Sequence, residues 1–181
     1  PDSEPRYARR GLLGIGGMGK VFAAWDRLLR REVALKEAAT PELAQRLARE
    51  AWITAQLEHP GIVPVYDAGT SPSGRPWYSM RMIRGRTLHE CLVNCVDTAA
   101  RLALIGRFHD ACQAVAYAHA MGIVHRDLKP ANIMIGQFGE TQVVDWGLAQ
   151  PVGDAEEAWT RIAPGAPREA AGTAAYMSPQ Q

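Results

Sequence analysis

The 181-residue chain is poor in lysine, cysteine and aromatic residues. Lys20, Lys36 and Lys129 are its only lysines, although Lys and Arg together number 20. A chain that builds its positive surface from arginine keeps lysine for places where a compact ammonium is wanted. An excess of either charge is missing too: 20 basic residues face 19 acidic ones, a formal net charge of +1. That balance excludes a partner held by bulk electrostatics, so no nucleic acid is expected. The three cysteines, Cys91, Cys95 and Cys112, complete no metal-ligand spacing with each other or with histidine. An odd count without a secretory signal reads as reduced, buried thiols. No apolar run approaches the length of a membrane-spanning helix, so no membrane segment is expected in this chain. The opening residues are polar and include Arg6, Arg9 and Arg10, which fits no signal peptide. The expected location is cytoplasmic, with any membrane anchor of the parent protein lying outside this segment.

What is present is a soluble globular composition, 47% hydrophobic and 22% charged. The first part reads as short strands with turns. Leu12-Leu13 runs into a glycine cluster, Val21 to Trp25 resumes an apolar run, and Glu32 to Lys36 alternates like a half-exposed strand. Pro41-Glu42 starts a helix expected to reach about Leu57, where His59-Pro60-Gly61 stops it. Strands are expected over 62–68 and 76–83. After Gly85 the pattern turns helical, with a short helix from Thr87 to Val93. One long helix is expected over 98–121, with Leu102, Ile105, His109, Cys112, Ala116 and His119 on one face and Gly122 as its stop. A short strand pair over 133–135 and 141–144 follows, then a long loop over 151–171.

Three groups of residues carry chemistry. Gly14-Ile15-Gly16-Gly17-Met18-Gly19-Lys20-Val21 matches G-x-G-x-x-G-x-V, where glycine lets backbone N–H groups approach phosphate oxygens. A dinucleotide fingerprint would also fit, but it needs a helix directly after the loop. The Val-Phe-Ala-Ala-Trp run that follows favours a glycine-rich hairpin over a nucleotide. Lys36, at the end of a strand, and Glu50, within the helix, each read alone as a solvated charge. Read together, Glu50 holds Lys36 and Lys36 contacts nucleotide phosphates.

The third group is decisive. His125-Arg126-Asp127-Leu128-Lys129-Pro130-Ala131-Asn132 reproduces H-R-D-x-K-P-x-N, and Asp145-Trp146-Gly147 follows a strand further on. Asp127 can orient a hydroxyl proton while Asn132 and Asp145 offer oxygen ligands to Mg²⁺.

These elements, in this order and spacing, resemble the protein kinase superfamily, and specifically the bacterial eukaryotic-like (Hanks-type) serine/threonine kinases. The resemblance runs from about Tyr7 to Gln181 and includes Leu57 to Val63, Gly85 to Leu88, Tyr117-Ala118-His119 and Gly172 to Pro179. It implies an α+β, protein-kinase-like two-lobed fold: a β-rich N-lobe with one helix over 6–83, then an incomplete, mainly helical C-lobe over 84–181 with the catalytic and activation loops. It implies transfer of the γ-phosphate of ATP, with Mg²⁺, to serine or threonine hydroxyls of protein substrates in bacterial signalling. The implied catalytic residues are Asp127, Lys129, Lys36 and Glu50, with Lys129 stabilising the transferred charge. The implied nucleotide contacts are Gly14, Ile15, Gly16, Gly17, Gly19, Val21, Ala34, Lys36, Met80, Met82 and Met134, with Met80 as gatekeeper. The metal ligands are Asn132 and Asp145. By family analogy Arg126 receives a phosphate on the activation loop, where Thr160 and Thr173 are the candidate autophosphorylation sites.

The chain also departs from the family. Trp146 replaces the usual phenylalanine, with small consequences expected. Ser178-Pro179-Gln180 lacks the usual glutamate. The chain runs from Pro1 to Gln181 and is expected to be cut within its large lobe, leaving apolar surface of the long helix uncovered. The alternative reading is therefore a truncated or inactive kinase module that binds nucleotide or a partner without phosphotransfer.

Overall fold

The computed structural model describes residues 5–153, 155–157 and 172–177. These divide into two units. The first takes Pro1–Ala55 and Pro64–Ile83, the second Gln56–Val63 and Arg84–Gln181.

Strand-forming alternation in the first unit yields β1 (Tyr7–Ile15), β2 (Gly19–Asp26), β3 (Arg31–Ala38), β4 (Val65–Thr70) and β5 (Pro76–Arg81). They form one antiparallel sheet in the order β1-β2-β3-β5-β4. Strand β3 lies in the middle and has the most buried pattern, because both faces of the sheet are covered there. One face packs Tyr7, Ala24, Val33 and Leu35 with Trp77. The other packs Ala38 and Tyr78 against Leu47 and Ala51 of α1 (Ala44–Gln56).

The helix expected from Pro41 begins later. Pro41–Leu43 is a 3₁₀ turn, and α1 proper starts at Ala44. Its inner face is Leu47, Glu50, Ala51, Ile53 and Thr54. Asp26 closes the β2–β3 turn, accepting from the Leu28 and Leu29 amides at 3.1 and 3.3 Å and from Arg6 Nε and Nη2 at 3.0 and 2.9 Å. The Arg6 guanidinium holds this buried carboxyl below the usual carboxylate range against the opposing effect of burial.

The second unit joins β6 (Gly85–Thr87), β8 (Ile133–Gly136) and β9 (Thr141–Val143) into a small antiparallel sheet, and pairs β7 (Ile123–Val124) with β10 (Gln150–Pro151). Helix α2 (Leu88–Val93) starts where expected, at a capping box. Glu90 N donates to Thr87 Oγ1 at 3.1 Å, and Thr87 N donates to Glu90 Oε2 at 2.7 Å.

The single helix expected over 98–121 is two, α3 (Thr98–Leu102) and α4 (Ile105–Ala120). Leu104 N turns to the Arg101 carbonyl at 3.0 Å, tightening the last turn of α3, while the Leu104 carbonyl accepts from Arg107 and Phe108 and starts α4. The break itself, at Ala103–Leu104, holds no glycine or proline, and Gly106 follows in the first turn of α4. Inside, α4 buries only Ala111, Ala114 and Ala118. Leu102, Ile105 and Phe108 are each more than half exposed, at 58%, 58% and 56%. The thiols are less buried than expected: Cys91 and Cys95 are half-buried and Cys112 is exposed. Cys91 lies within α2 and Cys95 two residues past it, and Cys112 is not among the buried residues of α4, so none of the three joins a core.

Candidate active site

In the first unit the glycine cluster forms the β1–β2 hairpin. Gly16 N donates to the Gly19 carbonyl at 2.9 Å, and Gly19 N donates back at 3.3 Å. Gly19 is obligatory for packing, since a Cβ there would stand 1.9 Å from the Glu37 carbonyl oxygen of β3. A Cβ on Gly14, Gly16 or Gly17 would meet no atom within 4 Å. Ile15 ends β1 and is largely exposed.

The sheet register gathers the other expected residues of this unit. Directly opposed residues of an antiparallel pair share a face. Val21 lies opposite Lys36, Lys36 opposite Tyr78, and Ala34 opposite Met80. Val21, Ala34, Lys36, Tyr78 and Met80 therefore belong to one face of the sheet. Met82 lies one residue beyond the end of β5.

Lys36 and Glu50 form the expected pair. Lys36 Nζ donates to Glu50 Oε1 at 2.6 Å and to Oε2 at 2.9 Å. Their side chains are 9% and 1% exposed, so this is a buried ion pair rather than two solvated charges. A third member was not expected. Tyr78, in the middle of β5, donates its hydroxyl to Glu50 Oε1 at 2.8 Å. Nothing in a strand tyrosine flags this; only the β3–β5 register reveals it.

In the second unit the turn from β7 into Pro130–Asn132 carries Asp127, Lys129 and Asn132. Lys129 Nζ donates to Asp127 Oδ2 at 2.8 Å and to Thr173 Oγ1 at 2.7 Å, and Thr173 Oγ1 donates to Asp127 Oδ1 at 2.6 Å. Asn132 Nδ2 donates to the Asp127 carbonyl at 2.8 Å and to Oδ2 at 3.2 Å. Burial pushes the Asp127 carboxyl up, but the donors Lys129, Thr173 and Asn132 outweigh it and leave it below its ordinary value. Asp127 is thus ionised at neutral pH and a weak base.

The loop is held from behind by His125, which is 2% exposed. Its Nε2 donates to the Val144 carbonyl at 3.2 Å, its Nδ1 accepts from the Asp127 amide at 3.3 Å, and its ring lies 4.6 Å from that of Trp146. Burial pushes the imidazole down, so it is neutral. Trp146 is fully buried and donates Nε1 to the Val143 carbonyl at 3.3 Å.

Arg126 and Asp145 adopt left-handed backbone, at φ 66° and 63°. Such conformations cost roughly 1–3 kcal/mol each and persist where surroundings over-determine them. Arg126 Nη1 donates to Gln150 Oε1 at 2.7 Å. The Val144 amide donates to the Asn132 carbonyl at 3.0 Å, which ties the residue before Asp145 to Asn132. Met134 lies on β8 in this unit. Thr160 and Ser178-Pro179-Gln180 lie outside the described residues.

Among the described residues no three or more of His, Cys, Asp and Glu gather as a metal site. The donor set that is present suits a different kind of ion. Both Asn132 amide hydrogens are spent on Asp127, which leaves its Oδ1 as a hard oxygen donor, and the Val144–Asn132 backbone bond brings in the segment that carries the Asp145 carboxylate. Two such ligands fit Mg²⁺, which keeps waters and takes phosphate oxygens for the rest.

Comparison with known proteins agrees with this architecture. The family model of the protein kinase domain matches residues 7–181. The chain is 38% identical over 161 residues to serine/threonine-protein kinase PknD of Protochlamydia amoebophila, covering 80% of this chain and 16% of that protein. It is 40% identical over 184 aligned residues to serine/threonine-protein kinase PknB of Mycolicibacterium smegmatis, and 39% identical to PknB of Mycobacterium tuberculosis, each time over 97% of this chain and 28% of the relative. The chain belongs to the protein kinase domain family. It resembles bacterial serine/threonine kinases within it, and spans between 16% and 28% of the length of these relatives. No helix among the described residues is long and apolar enough to cross a membrane.

Proposed function

We propose that the chain is the nucleotide-binding and catalytic-loop portion of a serine/threonine protein kinase that moves the γ-phosphate of ATP to protein hydroxyls. The observation that carries this reading is the Asp127 cluster: an ionised carboxylate gripped by a lysine and an asparagine amide of its own loop and by the hydroxyl of the distant Thr173.

Phosphoryl transfer asks a protein for positioning and charge neutralisation rather than covalent work. Mg²⁺, when bound at Asn132 and Asp145, supplies charge neutralisation to the phosphates. Asp127, held below its ordinary pKa, orients the incoming serine or threonine hydroxyl and takes its proton late. Lys129, 2.8 Å from that carboxylate, offsets the charge of the moving phosphoryl group. No packing inside the protein demands glycine at Gly14, Gly16 or Gly17, so the bare backbone there suits close approach by phosphate oxygens. Lys36, anchored by Glu50, is the ammonium for the nucleotide phosphates. Val21, Ala34, Met80, Met82 and Met134 are the apolar contacts for the base, and Thr173 is a candidate autophosphorylation site. A bound Thr173 hydroxyl at 2.6 Å from Asp127 also suits a role in shaping the substrate position.

The test is transfer from Mg-[γ-³²P]ATP to a generic protein substrate by the chain, Asp127→Asn and Lys36→Met. Asp127→Asn is expected to lose about 10²–10⁴-fold in rate. Equal transfer by parent and Asp127→Asn, or none by the parent, would sink the reading.

A further inference from the structure

Tyr78 places a neutral donor on the Glu50 carboxylate. Its hydroxyl donates to Glu50 Oε1 at 2.8 Å, the oxygen that also takes the shorter Lys36 bond at 2.6 Å. Tyr78 is 2% exposed and Glu50 1% exposed. The ring packs with Ala38 of β3 and with Leu47 and Ala51 of α1. Its backbone is paired in register with Lys36 itself. One side chain thus touches the strand that carries the lysine, the helix that carries the glutamate, and the glutamate's own oxygen.

Phenylalanine would fill this space equally well, so packing does not ask for the hydroxyl. A buried carboxylate does, because its lone pairs must be satisfied where water does not reach. Lysine is a poor sole anchor: its ammonium sits on a flexible four-carbon stem and can swing toward a phosphate. Each such excursion removes two donors from Glu50. The phenol is fixed on a rigid strand and remains.

We infer that Tyr78 is a positioning residue: its hydroxyl pins Glu50 of α1 to the sheet, so that Lys36 stays aimed even while its ammonium is shared with a nucleotide. The inference rests on the kinase reading for its consequence in catalysis, but the pinning itself does not.

The scarcity of lysine makes a direct test practical. Limited acetylation with sulfo-N-hydroxysuccinimide acetate, followed by peptide mass mapping, reports on Lys20, Lys36 and Lys129 separately. In Tyr78→Phe the Lys36 acetylation rate is expected to rise about tenfold relative to Lys20, as loss of a hydrogen bond to a charged group implies. Ser79→Ala is the control. It removes a neighbouring buried hydroxyl, bonded to the Tyr7 hydroxyl at 3.2 Å, without touching Glu50. An unchanged Lys36 rate in Tyr78→Phe, or an equal rise in Ser79→Ala, overturns the inference. In the transfer assay Tyr78→Phe is expected to lose about tenfold in kcat with circular dichroism unchanged. A parent chain that transfers no phosphate overturns the kinase reading; the acetylation rates then still decide whether Tyr78 pins the pair.

Discussion

Thr173 and Asp127, 46 residues apart, share a 2.6 Å hydrogen bond, and Lys129 reaches both. The triangle joins the segment at Thr173 to the Asp127–Asn132 loop through side chains. A donor to the ionised carboxylate lowers its pKa, so removing that donor raises it. Thr173→Ala is therefore expected to move the acidic limb of the kcat/KM pH profile to higher pH and to slow transfer by about tenfold. A profile that superimposes on the parent's would show that the bond has no part in setting Asp127.

The neutral, buried His125 makes a second pH prediction. In the unfolded chain its imidazole titrates near 6.5, whereas burial holds it lower in the fold. The unfolded state then binds more protons, and stability falls as pH drops below about 6.5. Urea midpoints measured between pH 7.5 and pH 5 are expected to decline, and His125→Phe is expected to flatten that slope. A parallel decline in the variant would assign the effect to other groups.

Two glycines three residues apart should fail in different ways. Gly19→Ala drives a methyl into the Glu37 carbonyl, so a loss of roughly 1–3 kcal/mol in urea unfolding is expected. Gly16→Ala meets no protein atom. Its unfolding midpoint should match the parent's, while its affinity for Mg-ATP, measured by titration calorimetry, should fall. Loss of stability in Gly16→Ala would remove the case for a phosphate cradle.

Trp146 is the chain's departure at the position after Asp145. Because the indole is fully buried and bonded to the Val143 carbonyl, Trp146→Phe is expected to cost about 1–2 kcal/mol, and Trp146→Ala about 3–5. Urea unfolding checks both. A Phe variant as stable as the parent would mean that the extra ring and its N–H contribute nothing.

What could be read beforehand was what is local. Asp127, Lys129 and Asn132 are close in sequence, so their spacing is itself a geometry. Lys36 and Glu50 each read alone as a solvated charge, and were legible as a pair only when read together with the glycine cluster ahead of them. Tyr78 was not, because its meaning depends on which β3 residue lies opposite it, and register is set by the whole sheet. The break between α3 and α4 was hidden for a similar reason. Residues 98–121 keep a helical period throughout, and the tightened turn at Leu104 needs no glycine or proline. The Thr173–Asp127 bond needed the chain to return over 46 residues, which no periodicity records.

Helix α4 turns only alanine inward, at Ala111, Ala114 and Ala118, and a Cβ on Gly61 would come within 3.0 Å of the Ala114 methyl. A face with almost no side chain has almost nothing to lose. Truncation to glycine removes one methyl and costs about 1 kcal/mol of helix propensity, so enlargement is the greater threat there. Leu47 and Ile53 of α1 stand the other way round, tolerant of little reduction. The two helices thus invert each other's mutational polarity, and a saturation scan would separate them by the sign of their volume dependence.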